Sequence, residues 1–503
     1  MVRRPFAPSG ALLLTAPVML ACLVGGCTMG PDYAGPPKLA GASDTARFVR
    51  ASDPALTSAP GVARWWEGLD DPLLTHLVDD ALAHSPSIDL AQGRIREARG
   101  KLREGKAGLA PSVSPMAMYA HAEAPGLDLG SSSDEDSGSS GGGTSLDFYN
   151  IGANASWEPD LFGGKRRGIE ASAATVGARY ADLADAQVAL SAQVAQSYVN
   201  LRDAQARVAL NKASVERQRR ALELNRQRLA AGTASQLEIE RLQGQLAGTE
   251  AQNVPLETQV LLYKNALAIL TGQVPGALDA QLDAPRPVPL PPAEVAIGDP
   301  ARLIANRPDI RSAERTLAAS TAMVGVREAQ RMPGIRFTGV LGIGGTSPGD
   351  VFDPNNLVAL IMPQLSWPLL DFGKGKAQVT QAEAQRDQAE AQYRQAVLKG
   401  LQDAEDSLAR FGATRRQLAQ LASAQQSAHK AASLNAQRTK AGTSSLIDQL
   451  DIERQAINAD ANVEQARAQL TIDYIAVQKA LGLGWTPPQA EPGAAAEPVP
   501  AGK

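Results

Sequence analysis

Aromatic side chains are scarce, with Phe, Trp and Tyr together making up 4% of the 503 residues. Long tracts rich in Ala, Gln, Arg and Leu take their place, a composition typical of long helices rather than of a compact aromatic core. Cysteine occurs twice, at Cys22 and Cys27. The four histidines, His76, His84, His121 and His429, are scattered without metal-ligand spacing, so neither a metal nor a cofactor is expected. Charge of one sign is missing too: 49 basic residues face 53 acidic ones for a net of -4. With no basic patch and no interleaved aromatics, nucleic acid is excluded as a partner. Beyond the N-terminus no apolar stretch approaches the ~20 residues of a spanning helix.

What the chain does have is a duplication. SWEPDLFGGK around Trp157 returns as SWPLLDFGKGK around Trp367, and one offset of 210 also carries Arg228, Ala231, Gly232 and Thr233 onto Arg438, Ala441, Gly442 and Thr443. Upstream the offset is 222, taking SPSIDLA at Ser85 to RPDIRSA at Arg307 and Pro111 to Pro333. The first copy therefore holds 12 extra residues, in the polar run SSSDEDSGSSGGGTS. An internal repeat with one polar insertion fixes the architecture before any motif is consulted.

The N-terminus has the layout of a secretory signal: Arg3 and Arg4, an apolar run over 11–24, then small residues. It leads into VGGC, which resembles a bacterial lipobox with Cys27 as the acylated, palmitate-bearing first residue of the mature chain. Cys22 after Leu20 and Ala21 is the competing site. If Cys27 is the lipidated residue, Cys22 is discarded and no disulfide framework exists.

Residues 165–231 contain no proline, and Val194, Leu201, Val208, Val215, Leu222 and Leu229 recur every seven residues. A sustained heptad stripe predicts coiled-coil packing, over a helix roughly 100 Å long at 1.5 Å per residue. A return helix follows over 236–271. The second copy repeats the pattern over 374–441, with Val397, Leu401, Leu408, Phe411 and Leu418 on one stripe, and over 446–481. A shorter helix precedes each unit, over 71–109 and 300–331. Between these helices the period changes to two. Tyr149, Ile151, Ala153, Ala155 and Trp157 alternate with Asn150, Gly152, Asn154 and Ser156, and Ile335, Phe337, Leu341 and Ile343 repeat the pattern. Residues 113–121 and 357–367 supply the partners. Such runs match the ~9–11 residues of a tilted membrane strand, and Trp157 and Trp367 at the strand ends suit an aromatic interface girdle, an ordinary core position being the alternative. Four strands cannot close by themselves, and open edges are not tolerated in lipid. The strands of several chains must be pooled.

At this point the chain resembles the TolC-like outer-membrane efflux proteins, in the lipoprotein branch serving resistance-nodulation-division (RND) pumps. The resemblance runs in order through CTMGPDYAGPP, WWEGLDDPLL, GRIREAR, WEPDLFG, NRPDIRSAE, WPLLDFGKGK, AGTSSLIDQLDIER and ALGLGW, nearly the whole mature chain. It implies an α+β fold: a homotrimeric tube in which four strands per chain make a 12-stranded outer-membrane β-barrel, continued into the periplasm by a coiled-coil α-barrel. The expected divisions are a signal peptide at 1–26, a lipid-anchored segment at 27–64, repeats at 65–272 and 300–485 joined by a Pro-rich equatorial linker at 273–299, and a disordered tail at 486–503. The resemblance further implies a passive exit duct for drugs or other small toxic compounds, partnered by a periplasmic adaptor (membrane fusion) protein, an inner-membrane RND pump and outer-membrane lipid. It places a periplasmic gate at Ile447 and Asp451, four apart on one helix face, and an adaptor-contacting tip at Gly232, Thr233, Gly442 and Thr443.

No catalytic residue is expected. GTSPG at Gly345 matches G-x-S-x-G, but a nucleophile elbow needs strand, turn and helix, whereas Ser347 falls in an outer loop before Pro348. Three other readings stay open: the outlet of a type I protein-secretion system, a lipid-anchored coiled-coil scaffold without a pore, and export of copper or silver by way of Met116, Met118 and Met362.

Overall fold

The computed structural model describes residues 28–37, 47–124 and 144–485. After β1 (Leu56–Thr57) and a 3-10 turn at Trp65–Leu69, the first copy comprises α1 (Pro72–His84), α2 (Pro86–Ala107), β2 (Ser112–Ala124), β3 (Thr144–Trp157), α3 (Gly164–Ala230) and α4 (Gln236–Leu270). A bridge with α5 (Asp279–Leu282) and β4 (Val295–Ala296) leads to α6 (Pro300–Asn306), α7 (Pro308–Ala329), β5 (Gly334–Gly345), β6 (Leu357–Ser366), α8 (Lys374–Lys440) and α9 (Leu446–Ala480). The helix expected to precede each unit is in both copies two helices. Pro86 and Pro308 force the residue before them, Ser85 and Arg307, into extended backbone at ψ 130° and 123°, because the proline ring clashes with a helical predecessor.

The two long helices, α3 and α8, have 67 residues each, and the heptad stripe explains why so few large side chains suffice to hold them. Val194, Leu201, Val215 and Leu222 are buried, with Val208 and Leu229 half-buried. On α8, Val397, Leu408 and Phe411 are buried. Both helices start at a glycine in left-handed backbone, Gly163 and Gly373. Pro255 lies inside α4, where it deletes one intrahelical hydrogen bond.

The main core sits at a mid-level belt. Trp65 and Trp66 pack edge to face with ring centroids 5.7 Å apart, and Trp65 meets Tyr474 of α9 in the same manner at 6.0 Å. The Asp71 carboxylate caps α1, accepting from Leu73 N and Leu74 N, and also accepts from the Tyr198 hydroxyl at 2.6 Å. Burial together with that acceptor pushes the Tyr198 phenol up to about 12. The proline-rich bridge joins the belt through β4, which pairs in parallel with β1. Arg307 completes it: its buried guanidinium donates to Ala480 O at the end of α9, at 2.7 Å, and is paired with Asp309, a cation placed where a helix C-terminus favours one.

One four-stranded antiparallel sheet has the order β2-β3-β5-β6. Above the belt the helices run α2-α3-α7-α8, and below it α4-α3-α9-α8. Strands and helices therefore leave the same two flanks open. One carries α2, β2 and α4, and the other carries β6 and α8.

Candidate functional site: a barrel wall, two helical tips and their seam

The strand register sorts the sheet into two faces, because residues directly opposite in an antiparallel pair share a face. Tyr119 faces Tyr149, Ala117 faces Ile151, and Val113 faces Ala155. Ile151 faces Ile343 and Trp157 faces Phe337, while Leu341, Gly339 and Ile335 face Ala359, Ile361 and Leu365. All these lie on one continuous apolar face spanning four strands. The opposite face carries Ser112, Ser114, Asn150, Asn154, Ser156, Thr338 and Gln364, together with Met116, Met118 and Met362.

Rings mark both ends of the apolar face. Tyr119 and Tyr149 lie 4.9 Å apart at one end, and Trp157 stacks on Phe337 at 6.0 Å at the other, its indole N–H donating to Leu109 O. Trp367 immediately follows β6 and is exposed. From Tyr149 to Trp157 the strand rises roughly 26 Å at ~3.3 Å per residue, which at a tilt of ~35–45° spans about 20 Å, most of the ~25 Å apolar band of a membrane barrel. The β5–β6 connection folds back through a 3-10 turn at Pro348–Phe352 and reaches β3, and Asn150 beneath is buried. Ser347 caps this turn, its amide donating to Asp350.

The tips at the far end are built alike. Gly232 and Gly442 stop α3 and α8 at φ 74° and 75° with open space around them. Thr233 N donates back to Arg228 O at 2.8 Å and Thr443 N to Arg438 O at 2.9 Å, the six-to-one bond of a glycine-terminated helix. The threonine hydroxyls cap the same carbonyls, and Ser235 and Ser445 open the return helices with capping boxes. All four tip residues are exposed.

Ile447 and Asp451 sit half-exposed on the first turns of α9. Beside them Leu446 and Leu450 pack against Ala221, Leu222, Ile239 and Leu242 of the α3–α4 hairpin. Arg454 stands 3.5 Å from Asp451, an ion pair one helical turn along α9.

Sequence reasoning overlooked the seam behind this position. The buried Asn435 amide donates to Gln449 at 2.9 Å, Gln449 donates to Glu453 at 2.6 Å, and Ser444 donates to Asn435. Further up, His429 and Gln425 both contact Asp460, at 2.6 and 2.8 Å. In the first copy Gln449 corresponds to Ile239, which is buried among leucines. The offset of 210 carried that polar-for-apolar exchange in plain view.

At the other end, residues 28–33 lie between α3 and α7, where Gly30 packs on Gly325 and the Tyr33 hydroxyl donates to Glu314. Met29 N donates to Phe162 O, and Thr28 packs on Gly163 at the corner between β3 and α3. The buried Arg167 donates to Met29 O and Gly30 O and pairs with Asp32. Cys27 itself, residues 131–143 of the polar run and the tail at 486–503 lie outside the described residues.

A long-helix hairpin pair continuing a sheet with one apolar face defines a subunit of a TolC-like outer-membrane channel. The outer membrane efflux protein model matches residues 77–273 and again 300–483, and the chain belongs to that family. It is similar to the outer-membrane channel OprN, with 31% identity, a TM-score of 0.82, and 92% of this chain and 100% of that one covered. Among curated relatives, nodulation protein T of Rhizobium leguminosarum bv. trifolii is 29% identical across 92% of this chain and 96% of its own length. Outer membrane protein OprJ of Pseudomonas aeruginosa is 27% identical across 93% and 95%.

Proposed function

We propose that three copies of this chain close into one tube that serves as a passive exit duct for small toxic compounds, handed over by a periplasmic adaptor and an inner-membrane RND pump. The observation that carries this reading is the four-stranded sheet with two open edges and one continuous apolar face. A spanning barrel needs at least about eight strands, and three chains supply twelve by joining β6 of each to β2 of the next. The same closure joins the open flanks of α8 to those of α2 and α4. The apolar face then meets lipid and the Ser/Asn face lines the bore. Relatives in the family carry the names of a solvent efflux pump, an antibiotic efflux pump and a pyoverdine export outer membrane protein, which supports export of small molecules without selecting one class of cargo.

Orientation follows from the ends. Thr28, the residue after Cys27, lies at the base of the strands, where an acyl chain on Cys27 would reach the inner leaflet. Gly232, Thr233, Gly442 and Thr443 then form the periplasmic tip facing the adaptor. Just above it Ile447 and Asp451 of three chains converge into an apolar and acidic constriction. The polar Asn435–Gln449 seam supports this assignment, because a hairpin held by hydrogen bonds rather than by leucines separates at lower cost.

Planar-bilayer recording of the Ile447→Ala/Asp451→Ala double variant tests the reading. Trimer yield stays unchanged, single-channel conductance rises, and cation preference falls with the loss of three carboxylates. Wild-type conductance and selectivity in the double variant would remove these residues from any constriction. Absence of any conductance in the wild-type protein would remove the duct itself.

A further inference from the structure

The internal repeat specifies how the chains pair, residue by residue. Facing residues of β2 and β3 have numbers that total 268, and those of β5 and β6 total 700. The difference, 432, is the sum of the two offsets, 222 and 210, so both offsets hold through the strands without a slip. The in-chain seam joins β3 to β5 with partners totalling 494. Moving β3 forward by 210 and β5 back by 222 turns this seam into one between β6 and β2, on opposite edges of the sheet.

We propose, resting on the tube reading above, that the seam between subunits repeats the seam within the chain, pairing β6 with β2 of the partner subunit at residue numbers totalling 482. Leu365 then faces Ala117 of the partner subunit, and Trp367 faces Pro115 of the partner subunit. Parity supports the register. Both members of every such pair fall on the same face: Leu365 and Trp367 meet Ala117 and Pro115 of the partner subunit, and Ile361 and Ala359, towards the far end, meet His121 and Glu123 of the partner subunit, whereas a one-residue slip would set the two faces of the sheet against each other.

The helices bear the same imprint. Positions covered by the in-chain seam in one copy are bare apolar side chains in the other. Leu398 on α8 is 58% exposed, whereas its counterpart Val188 on α3 is 3% exposed and lies against Gly484 of the second copy. The clearest case is the corner after each hairpin. Phe162 is half-buried, sharing a cavity with Ala329 and Met332 at the α7–β5 turn. Its counterpart Phe372 is fully exposed and held at φ 50°, a backbone region that bulky residues rarely occupy. The matching seat is Ala107 and Ala110 of the partner subunit, at the α2–β2 turn, where small side chains leave room for the ring. Likewise the Ser312–Asp182 hydrogen bond of 2.5 Å between α7 and α3 marks the place where Gln392 meets Leu90 of the partner subunit.

Paired cysteines read the register. Opposite residues in an antiparallel pair stand ~4.5–5.5 Å apart at Cα, within disulfide reach, whereas β2 and β6 of one chain are about three strand spacings, ~14 Å, apart. Every disulfide formed is therefore between chains. Oxidised Leu365→Cys/Ala117→Cys protein is expected to run as a covalent trimer ladder on a non-reducing denaturing gel. Leu365→Cys/Tyr119→Cys, shifted by two on the same face, is expected to stay mostly uncrosslinked. Gln392→Cys/Leu90→Cys, joined by a short bismaleimide, checks the same register outside the membrane should the strand variants fail to assemble. Equal or greater linkage in the shifted pair, or no linkage in any pair of a protein that migrates as a trimer on a native gel, overturns the register. A parent protein that migrates as a monomer instead overturns the tube, and the pairing with it.

Discussion

A carboxylate that loses water without gaining a full partner destabilises its surroundings, and Asp203 on α3 is in that position. Its Oδ1 is buried without a hydrogen bond and Arg207 approaches only to 3.7 Å. Burial therefore holds its carboxyl above the usual carboxylate range. A raised acid binds its proton more tightly when folded, so its contribution is fully present below the ordinary carboxyl pKa and is lost as pH rises through the raised value. Asp203→Asn removes the charge and is expected to melt above wild type at pH 7 in detergent. The two melting temperatures should converge as the buffer approaches the ordinary carboxyl pKa; a constant gap at every pH would assign the effect to something other than ionisation. Nothing in the sequence singled out Asp203, nor the fully buried Arg202 beside it. A charged residue on a long polar helix reads as solvated until the fold lays another element over it. Over Arg202 the segment at Leu282 and Ala284 does so, and its carbonyls accept from the guanidinium.

At the scale of elements, the two hairpins share backbone geometry and differ in what holds them. Gln449→Ile gives the α8–α9 hairpin the residue that its counterpart has at Ile239. Asn435 can still bond within its own helix, as Asn225 does to Ala221 O at 3.0 Å. Burying an aliphatic side chain in place of a polar one should stabilise the hairpin by about 1–3 kcal/mol, and the expected result is a lower open probability in bilayer recordings with unchanged trimer yield. An equal or higher open probability would place the mobile element elsewhere. Much at this scale was legible in the sequence. The heptads on α3 and α8, the glycine stops and the two-residue alternation of β3 and β5 all rest on regular spacing, and each appears in the structure. The breaks at Ser85–Pro86 and Arg307–Pro308 were visible as prolines, but a proline also fits the first turn of a helix, so the expected single helix ran across them. The β1–β4 pair left no trace, since two-residue strands have no period to detect.

For the whole molecule, the two faces of the sheet make opposite demands on adjacent residues. Ile361 lies on the apolar face and Leu360 on the other, and both are exposed in the single chain. An arginine facing lipid near the midplane costs about 2–4 kcal/mol, and a trimer would carry it three times. Ile361→Arg is therefore expected to abolish trimers in outer-membrane fractions, while Leu360→Arg should assemble and shift ion selectivity towards anions. The reverse pattern would turn the barrel inside out.

The duplication also bears on how such a wall comes together in a dilute compartment. Were each hairpin unit a separate chain, a ring of six would form with a yield that rises with the sixth power of free subunit concentration. Fusing the units in pairs makes half of the junctions permanent and reduces the exponent to three, so the ring completes at a lower concentration of free chains. The remaining junctions meet only when separate chains collide, and they keep the bare leucines and the exposed Phe372 of an interface awaiting its other half. Fusion also frees the two units to drift apart. One carries an apolar spine at Ile239 and the other a polar one at Gln449, so the six positions of such a ring fall into two alternating sets of three.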